Sequence, residues 1–331
     1  MFHWREQRDG PVQAPSGAAG SPATAGTPGK ARTTGIVDWG FTAASAPATS
    51  AGRAGAKGST TGASPTGASR GDFAGLNLGA HVGDDPAAVE VNRRQLAEAL
   101  DVPRSHLVFL QQEHGNTVVV AGEDAPWPSP PVADAVVTRR ADLALVVLVA
   151  DCTPVLLADR AAGVVGAVHA GRPGLVSGVI PATLAVMREQ GAEVIEAVVG
   201  PSVCPRCYEV PLAMRDDAAA TSPVSASVTW SGTPSIDISA GIVDQLAHED
   251  VLVTWLPGCT RESDHLYSYR RSQRTGRFAV EGPQGVREAI RYAGDRIVDI
   301  YLTAAARERY TTDIADPARA AGFWVHEVSP E

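Results

Sequence analysis

The sequence predicts an α+β domain in which layered mixed β-sheets are flanked by helices, and three observations carry that expectation. Between residues 72 and 199 short apolar strand-like runs outnumber helical ones, neighbouring runs are joined by short polar turns, and helix and strand do not alternate regularly. A doubly wound parallel sheet would require that alternation.

Taken in order, residues 1–34 are expected to form a disordered tail. Residues 10–34 are dominated by Ala, Gly, Ser, Thr and Pro, which bury too little apolar surface to offset chain entropy. Residues 35–42, Gly-Ile-Val-Asp-Trp-Gly-Phe-Thr, read as a short strand that opens a domain running to residue 278. Within it, residues 42–71 are expected to be a disordered insertion, because 27 of 30 positions are again Ala, Gly, Ser, Thr or Pro. Next comes an amphipathic helix over 86–100, with Val89, Leu96, Ala97 and Leu100 on one face, Pro86 at the first helical position and Asp84 or Asp85 as N-cap.

Strands are expected at 107–110 and 117–121, on either side of the polar Gln111-Gln-Glu-His-Gly-Asn116. The unbroken apolar run 143–150 suits a strand buried on both faces. Strands at 155–158 and 164–169 form a hairpin around Asp159-Arg-Ala-Ala-Gly163, followed by a helix over 174–190 that stops at Gly191 and a strand over 194–199.

Composition narrows the function classes. Of 331 residues, 44% are apolar and 20% charged, which supports a folded core. The most apolar stretch, 141–157, is broken by Asp142, Asp151 and Thr153, so no membrane span is expected. The opening Met-Phe-His-Trp-Arg-Glu-Gln lacks a secretory pattern, and a cytoplasmic location is expected. A net charge of −9 argues against nucleic acid as partner. Four cysteines in a chain of this length do not make a disulfide framework.

Three polar residues interrupt apolar or glycine-bounded strand ends: His114 in Gln-Glu-His-Gly, Cys152 in Ala-Asp-Cys-Thr-Pro and His169 in Val-His-Ala-Gly. The 155–169 hairpin would place Cys152 beside His169. Two imidazoles and a thiolate suit Zn²⁺ and leave a fourth position for water or substrate. Spacing alone favours three satisfied core residues over a metal site, since unligated cysteine is commonly buried and a lone histidine usually does nothing catalytic. Cys204-Pro-Arg-Cys207 is a CxxC without a second ligand pair; Cys259 stands alone in the chain, and a loop cysteine near the site is the preferred reading. Residues 259–277 hold five Arg against one Glu and one Asp, which suits either a phosphate site or a salt-bridged surface.

Together, residues 75–86 (Gly-Leu-Asn-Leu-Gly-Ala-His-Val-Gly-Asp-Asp-Pro), Asn92-Arg93, Gln112-Glu-His-Gly115, Ala133-Asp-Ala135, Ala150-Asp-Cys-Thr-Pro154, His169-Ala-Gly171, Gly200-Pro201, Cys207-Tyr-Glu-Val210 and Ser268-Tyr-Arg-Arg271 resemble the purine nucleoside phosphorylases once labelled laccase-domain or polyphenol oxidase proteins. The resemblance implies a catalytic Zn²⁺ on His114, Cys152 and His169. It implies phosphorolysis of adenosine, inosine, guanosine and S-methyl-5'-thioadenosine, with adenosine deamination as a side activity. On that reading Cys152, Asp151, Arg270 and Arg172 are the catalytic candidates, and Asn77, Arg93, Gln112 and Arg271 would bind purine nucleoside or inorganic phosphate. Glu113, Glu209 and Glu262 are further proton-handling candidates. Nothing in the sequence indicates an oligomeric state.

The sequence departs from that family in two places. His169-Ala-Gly-Arg-Pro-Gly174 stands where the family commonly reads HAGWRG, so Pro173 takes the Arg position and Arg172 the Trp position. Beyond residue 278 the chain instead resembles part of the substrate-binding region of SpoU-type RNA ribose methyltransferases, with no methyltransferase domain following. Two other functions fit the sequence less well. A copper-dependent polyphenol oxidase needs paired His-X-His motifs for its copper cluster, and none occurs among the eight histidines. A non-catalytic RNA-binding or scaffold protein fits poorly with residues 279–331, whose net charge is negative.

Overall fold

The computed structural model describes residues 2–8, 37–44, 67–272, 282–292, 297, 300–323 and 325–328. Its architecture is mixed α+β. β1 (Phe2–Arg8) pairs antiparallel with β2 (Val37–Thr42), then come α1 (Pro86–Ala99), β3 (Leu107–Val108), β4 (Val118–Val120), β5 (Ala135–Thr138) and β6 (Ala144–Leu145). The hairpin β7 (Thr153–Asp159) and β8 (Val164–Ala170) follows, with α2 (Arg172–Ser177), α3 (Val179–Glu189) and β9 (Glu196–Val199). After α4 (Leu212–Thr221), the small hairpin β10 (Ala226–Val228) and β11 (Pro234–Ile236) leads into α5 (Ile238–His248), β12 (Leu252–Trp255) and the short α6 (Tyr269–Ser272).

The central sheet has the order β12-β9-β7-β8-β5-β4, antiparallel in the middle with one parallel pair at each edge. Alternation along its strands sorts side chains onto two faces. Val155, Leu157, Val168, Ala197 and Val199 join Leu175, Ile180, Leu184, Met187 and Ile242 in the largest core cluster, under α2, α3 and α5. The intervening Ala158 and Val198 face the other way and meet Trp39 of β2, while Val136 and Ala167 meet Val108 and Leu110.

Several expectations needed correction. The tail expected over 1–34 contains β1, whose backbone ladder to β2 orders residues 2–8; residues 9–34 lie outside the described residues. The insertion expected over 42–71 is anchored at both ends. Ala43 and Ala44 are buried, the Ala44 amide donates to the His265 carbonyl at 2.8 Å, and buried Asn92 accepts the Ala68 amide at 2.6 Å while donating to Ser69 Oγ at 2.9 Å. Residues 45–66 lie outside the described residues.

The expected helix over 174–190 is two helices. Gly178 adopts φ +79° between them, and Pro181 has no N–H to return to the Ser177 carbonyl, which the Asn116 side chain reaches instead at 2.7 Å. The run 143–150 pairs as a strand only over Ala144–Leu145, yet it does lie between two apolar layers: Leu143, Leu145 and Val147 face one cluster, Ala144, Val146 and Leu148 another. The Gln112 side chain bonds both the amide and the carbonyl of Leu148, at 2.8 and 2.7 Å, and takes the place of a ladder partner there.

Beyond residue 281, α7 (Pro283–Tyr292), β13 (Ile300–Thr303), α8 (Ala304–Arg309), α9 (Asp316–Ala320) and β14 (Val325–Val328) build a small core of their own around Ile300, Leu302, Ile314 and Ala318, with β13 and β14 parallel. No helix among the described residues is long and apolar enough to cross a membrane.

Candidate active site

The β7–β8 register sets Thr153 opposite Ala170 and Pro154 opposite His169, so Cys152, one residue before β7, reaches the same sheet end as His169. His114 arrives on the loop between β3 and β4 with φ +60°, a left-handed conformation uncommon outside glycine and typical of constrained sites. One donor atom from each of His114, Cys152 and His169 lies within 4.8 Å of the others. The two imidazoles meet edge to face with centroids 4.6 Å apart. The sequence-expected triad is thus assembled.

Asp134, at the entry to β5, organises this cluster, although its sequence context had earned it no role. Its Oδ1 accepts the His114 amide at 2.9 Å and contacts His169 Nδ1 at 2.8 Å, while Oδ2 accepts the Gly115 amide at 2.6 Å. Burial would raise its pKa, but the bond and charge of His169, the Gly115 amide and the His114 imidazole more than offset that and hold it below the ordinary aspartate value. An ionised carboxylate only accepts, so Nδ1 of His169 donates to it, and Nε2 is the nitrogen a cation would bind in place of a proton. The signal in the sequence was a lone acid inside the apolar Val132-Ala-Asp-Ala-Val-Val137.

Burial pushes the Cys152 thiol up, but the neighbouring imidazoles of His169 and His114 overcome this and bring it down to about 6. For His169 burial acts downward, while the Cys152 thiolate and Asp134 drive it above the usual histidine range. These groups fit a zinc-class cation: a thiolate, a pre-oriented imidazole nitrogen and a second imidazole form a borderline-soft donor set with a fourth position to spare. Gly171 supplies the room. A Cβ there would stand 2.7 Å from His114 Cδ2 and 3.1 Å from Cys152 Sγ.

The remaining candidates distribute differently. Asp151 is buried with φ +96°; Oδ1 accepts Thr260 Oγ1 at 2.6 Å and Oδ2 accepts the Arg270 amide at 2.8 Å, so it ties the 260–270 segment to the strand start beside Cys152. Arg270 lies over the Tyr208 ring at 4.4 Å and donates to the Glu209 carbonyl at 3.0 Å. Burial, with the nearby Cys152 and Glu288 charges, raises the Tyr208 hydroxyl to about 12 against the opposing pull of Arg270 and Arg172. Buried Arg172 pairs with Asp217 at 3.1 Å and with Glu288 of α7.

Asn77 bonds Asp84 Oδ2 at 2.9 Å and the Gly79 backbone in an Asx turn; Arg93 donates to the Leu78 carbonyl at 2.9 Å and covers Phe109. Arg271 gathers the carbonyls of Thr260, Ser263 and Leu266. Glu113 accepts the Tyr310 hydroxyl at 3.3 Å. Cys259, which stands alone in the chain, is brought to Cys204 and Cys207, correcting the expectation that the CxxC lacks further ligands.

Known proteins similar to this chain cover its central part. A purine nucleoside phosphorylase of Streptomyces coelicolor is 52% identical over 209 residues, spanning 62% of this chain and 86% of its own length. One of Corynebacterium glutamicum is 45% identical, spanning 64% and 88%. Among solved structures, a Neisseria meningitidis protein of the DUF152 family superposes with a TM-score of 0.56 at 34% identity over 63% of this chain and 86% of that one. YlmD of Geobacillus stearothermophilus gives 0.58 at 29%, over 63% and 84%. Residues 59–280, well over half the sequence, match the family model described as multi-copper polyphenol oxidoreductase laccase, and the chain belongs to that family.

Proposed function

We propose that this protein is a zinc-dependent purine nucleoside phosphorylase. It would cleave adenosine, inosine, guanosine and S-methyl-5'-thioadenosine with phosphate, giving free base and the ribose 1-phosphate, and deaminate adenosine as a side activity. The observation that carries the reading is the convergence of His114, Cys152 and His169 within 4.8 Å, in a chain whose relatives bear the phosphorylase name. A zinc ion held by these three residues would supply Lewis acidity, with a coordination position open to a reactant.

The chain's own groups have definable tasks. Asp134 fixes the His169 tautomer and the His114 loop. Asp151 braces Arg270 through its backbone amide, so the guanidinium stays over Tyr208 and brings positive potential to the side of the site where an anionic phosphate is needed. Arg172 has two carboxylate partners, which makes it a link between α2 and α7 and weakens its case as a phosphate holder. Asn77, Arg93, Gln112 and Arg271 shape the surrounding loops through bonds to backbone. The compartment this reading implies is the cytoplasm, and the partners are nucleoside and phosphate.

The family description keeps a copper polyphenol oxidase as the second reading. Against it, only two histidines join a metal-suited cluster among the described residues. Product analysis with adenosine, with and without phosphate, separates the cases. Adenine and ribose 1-phosphate formed only with phosphate, and lost in Cys152→Ala, is the expected result; phenol oxidation that requires copper, with no base released, would overturn it.

A further inference from the structure

β9 and β12 are parallel neighbours, so the loops that leave their C-terminal ends emerge side by side. Residues 202 and 259 form a parallel bridge, with the Thr260 amide donating to the Ser202 carbonyl at 3.0 Å. This seam brings the Cys204-Pro-Arg-Cys207 turn, closed by the Cys207 amide on the Cys204 carbonyl at 2.9 Å, against Cys259 and Glu262. The Cys204 amide donates to Cys259 Sγ at 3.4 Å, and Cys207 Sγ to Glu262 Oε1 at 3.1 Å. Three sulfurs and one carboxylate oxygen all lie within 4.8 Å of one another.

We propose that Cys204, Cys207, Cys259 and Glu262 form a second, structural site for a zinc-class divalent cation, separate from the His114–Cys152–His169 cluster, which ties the loop after β9 to the loop after β12.

The CxxC turn is the spacing with which a pair of thiolates grips zinc, and the other two donors come from a neighbouring loop, as in closed four-ligand sites. A disulfide accounts for less. It would consume two of three convergent thiols, strand the third, and give the Glu262 carboxylate no purpose. A bound cation would hold all three sulfurs as thiolates. With four protein ligands the site holds no place for substrate, so its part is positioning. The tied segments carry Tyr208 and Glu209 on one side and Thr260 on the other, the groups that hold Arg270 and Asp151.

The test uses the full chain with Cys152→Ala, so that the first site is disabled and the fate of the phosphorylase reading does not affect the outcome. Metal analysis after zinc-supplemented expression should find about one equivalent of zinc per chain, falling to near zero when Cys207→Ser or Cys259→Ser is added. Glu262→Gln, at an exposed position, covers the case in which a serine variant fails to fold; it should lower zinc affinity at least about tenfold while the circular dichroism stays unchanged. On the parent, a thiol reagent should react at least about tenfold faster after chelation than before, because metal-held thiolates are shielded. Zinc content unaffected by the serine substitutions, thiol reactivity indifferent to the chelator, or a Cys204–Cys207 disulfide in the freshly purified chain would overturn the proposal.

Discussion

Asp134 and His169 share a buried contact of 2.8 Å between Oδ1 and Nδ1, and the same oxygen accepts the His114 amide at 2.9 Å. One carboxylate therefore orients the His169 ring and holds the backbone of His114, the two residues whose imidazoles face Cys152. Such a partner does not touch the cation, yet it determines which nitrogen is available and how basic it is.

Asp134→Asn should for that reason weaken zinc binding at the triad by about 10- to 100-fold, since the amide cannot hold the same tautomer and accept from the loop amides equally well. Competition against a chromophoric chelator measures it. Wild-type affinity in the variant would show that His169 is held by packing alone.

Gly171 lies against the triad where a single carbon is too many. Gly171→Ala should displace His114 or Cys152, because the added Cβ would fall 2.7 Å from His114 Cδ2, and overpacking of this kind costs about 1–3 kcal/mol. The expected pattern is a folded chain with a modestly lower Tm and a large loss of zinc from the triad. Retention of full zinc content and activity would contradict it.

Asp159 closes the β7–β8 turn. Burial raises its pKa, but amide bonds from Ala161, Ala162, Glu193 and Val194, at 2.7 to 2.9 Å, more than offset this and hold it below the ordinary value. A depressed folded-state pKa contributes stability above the unfolded value, and that contribution is lost as pH falls through the folded one. Asp159→Asn should therefore cost about 1–3 kcal/mol at neutral pH. The gap to wild type in chemical denaturation should narrow below about pH 4, where the unfolded carboxyl begins to protonate. A gap of constant size at every pH would assign the loss to shape and not to charge.

Arg172 is buried between Asp217 and Glu288. Removing it with Arg172→Ala leaves both carboxylates short of a partner and should destabilise by about 3 kcal/mol, the low end for broken buried pairs because Asp217 and Glu288 are partly exposed. If the same variant in a double-mutant cycle with Glu288→Gln shows no coupling energy, the link between α2 and α7 carries no stability.

Much of this was legible in the chain because the governing patterns are local. The short apolar runs of β7, β8 and β9, the Asp85 cap and Pro86 start of α1, and the Asp159-to-Gly163 turn depend on residues a few positions apart, and each formed within a residue or two of expectation. His114, Cys152 and His169 could be named from the sequence because imidazole and thiol stand out at the ends of apolar strands. Beyond the β7–β8 hairpin, which already sets Cys152 beside His169, convergence was out of reach of the same reasoning. That Asp134 turns toward His169 and that Cys259 and Glu262 meet the CxxC follow from the order β12-β9-β7-β8-β5-β4 and the loops it sets side by side, while the pairing of residues 2–8 with β2 and the contact of Arg172 with α7 are made outside that sheet. Strand order is the outcome of packing the whole chain at once, and no window of neighbouring residues contains it.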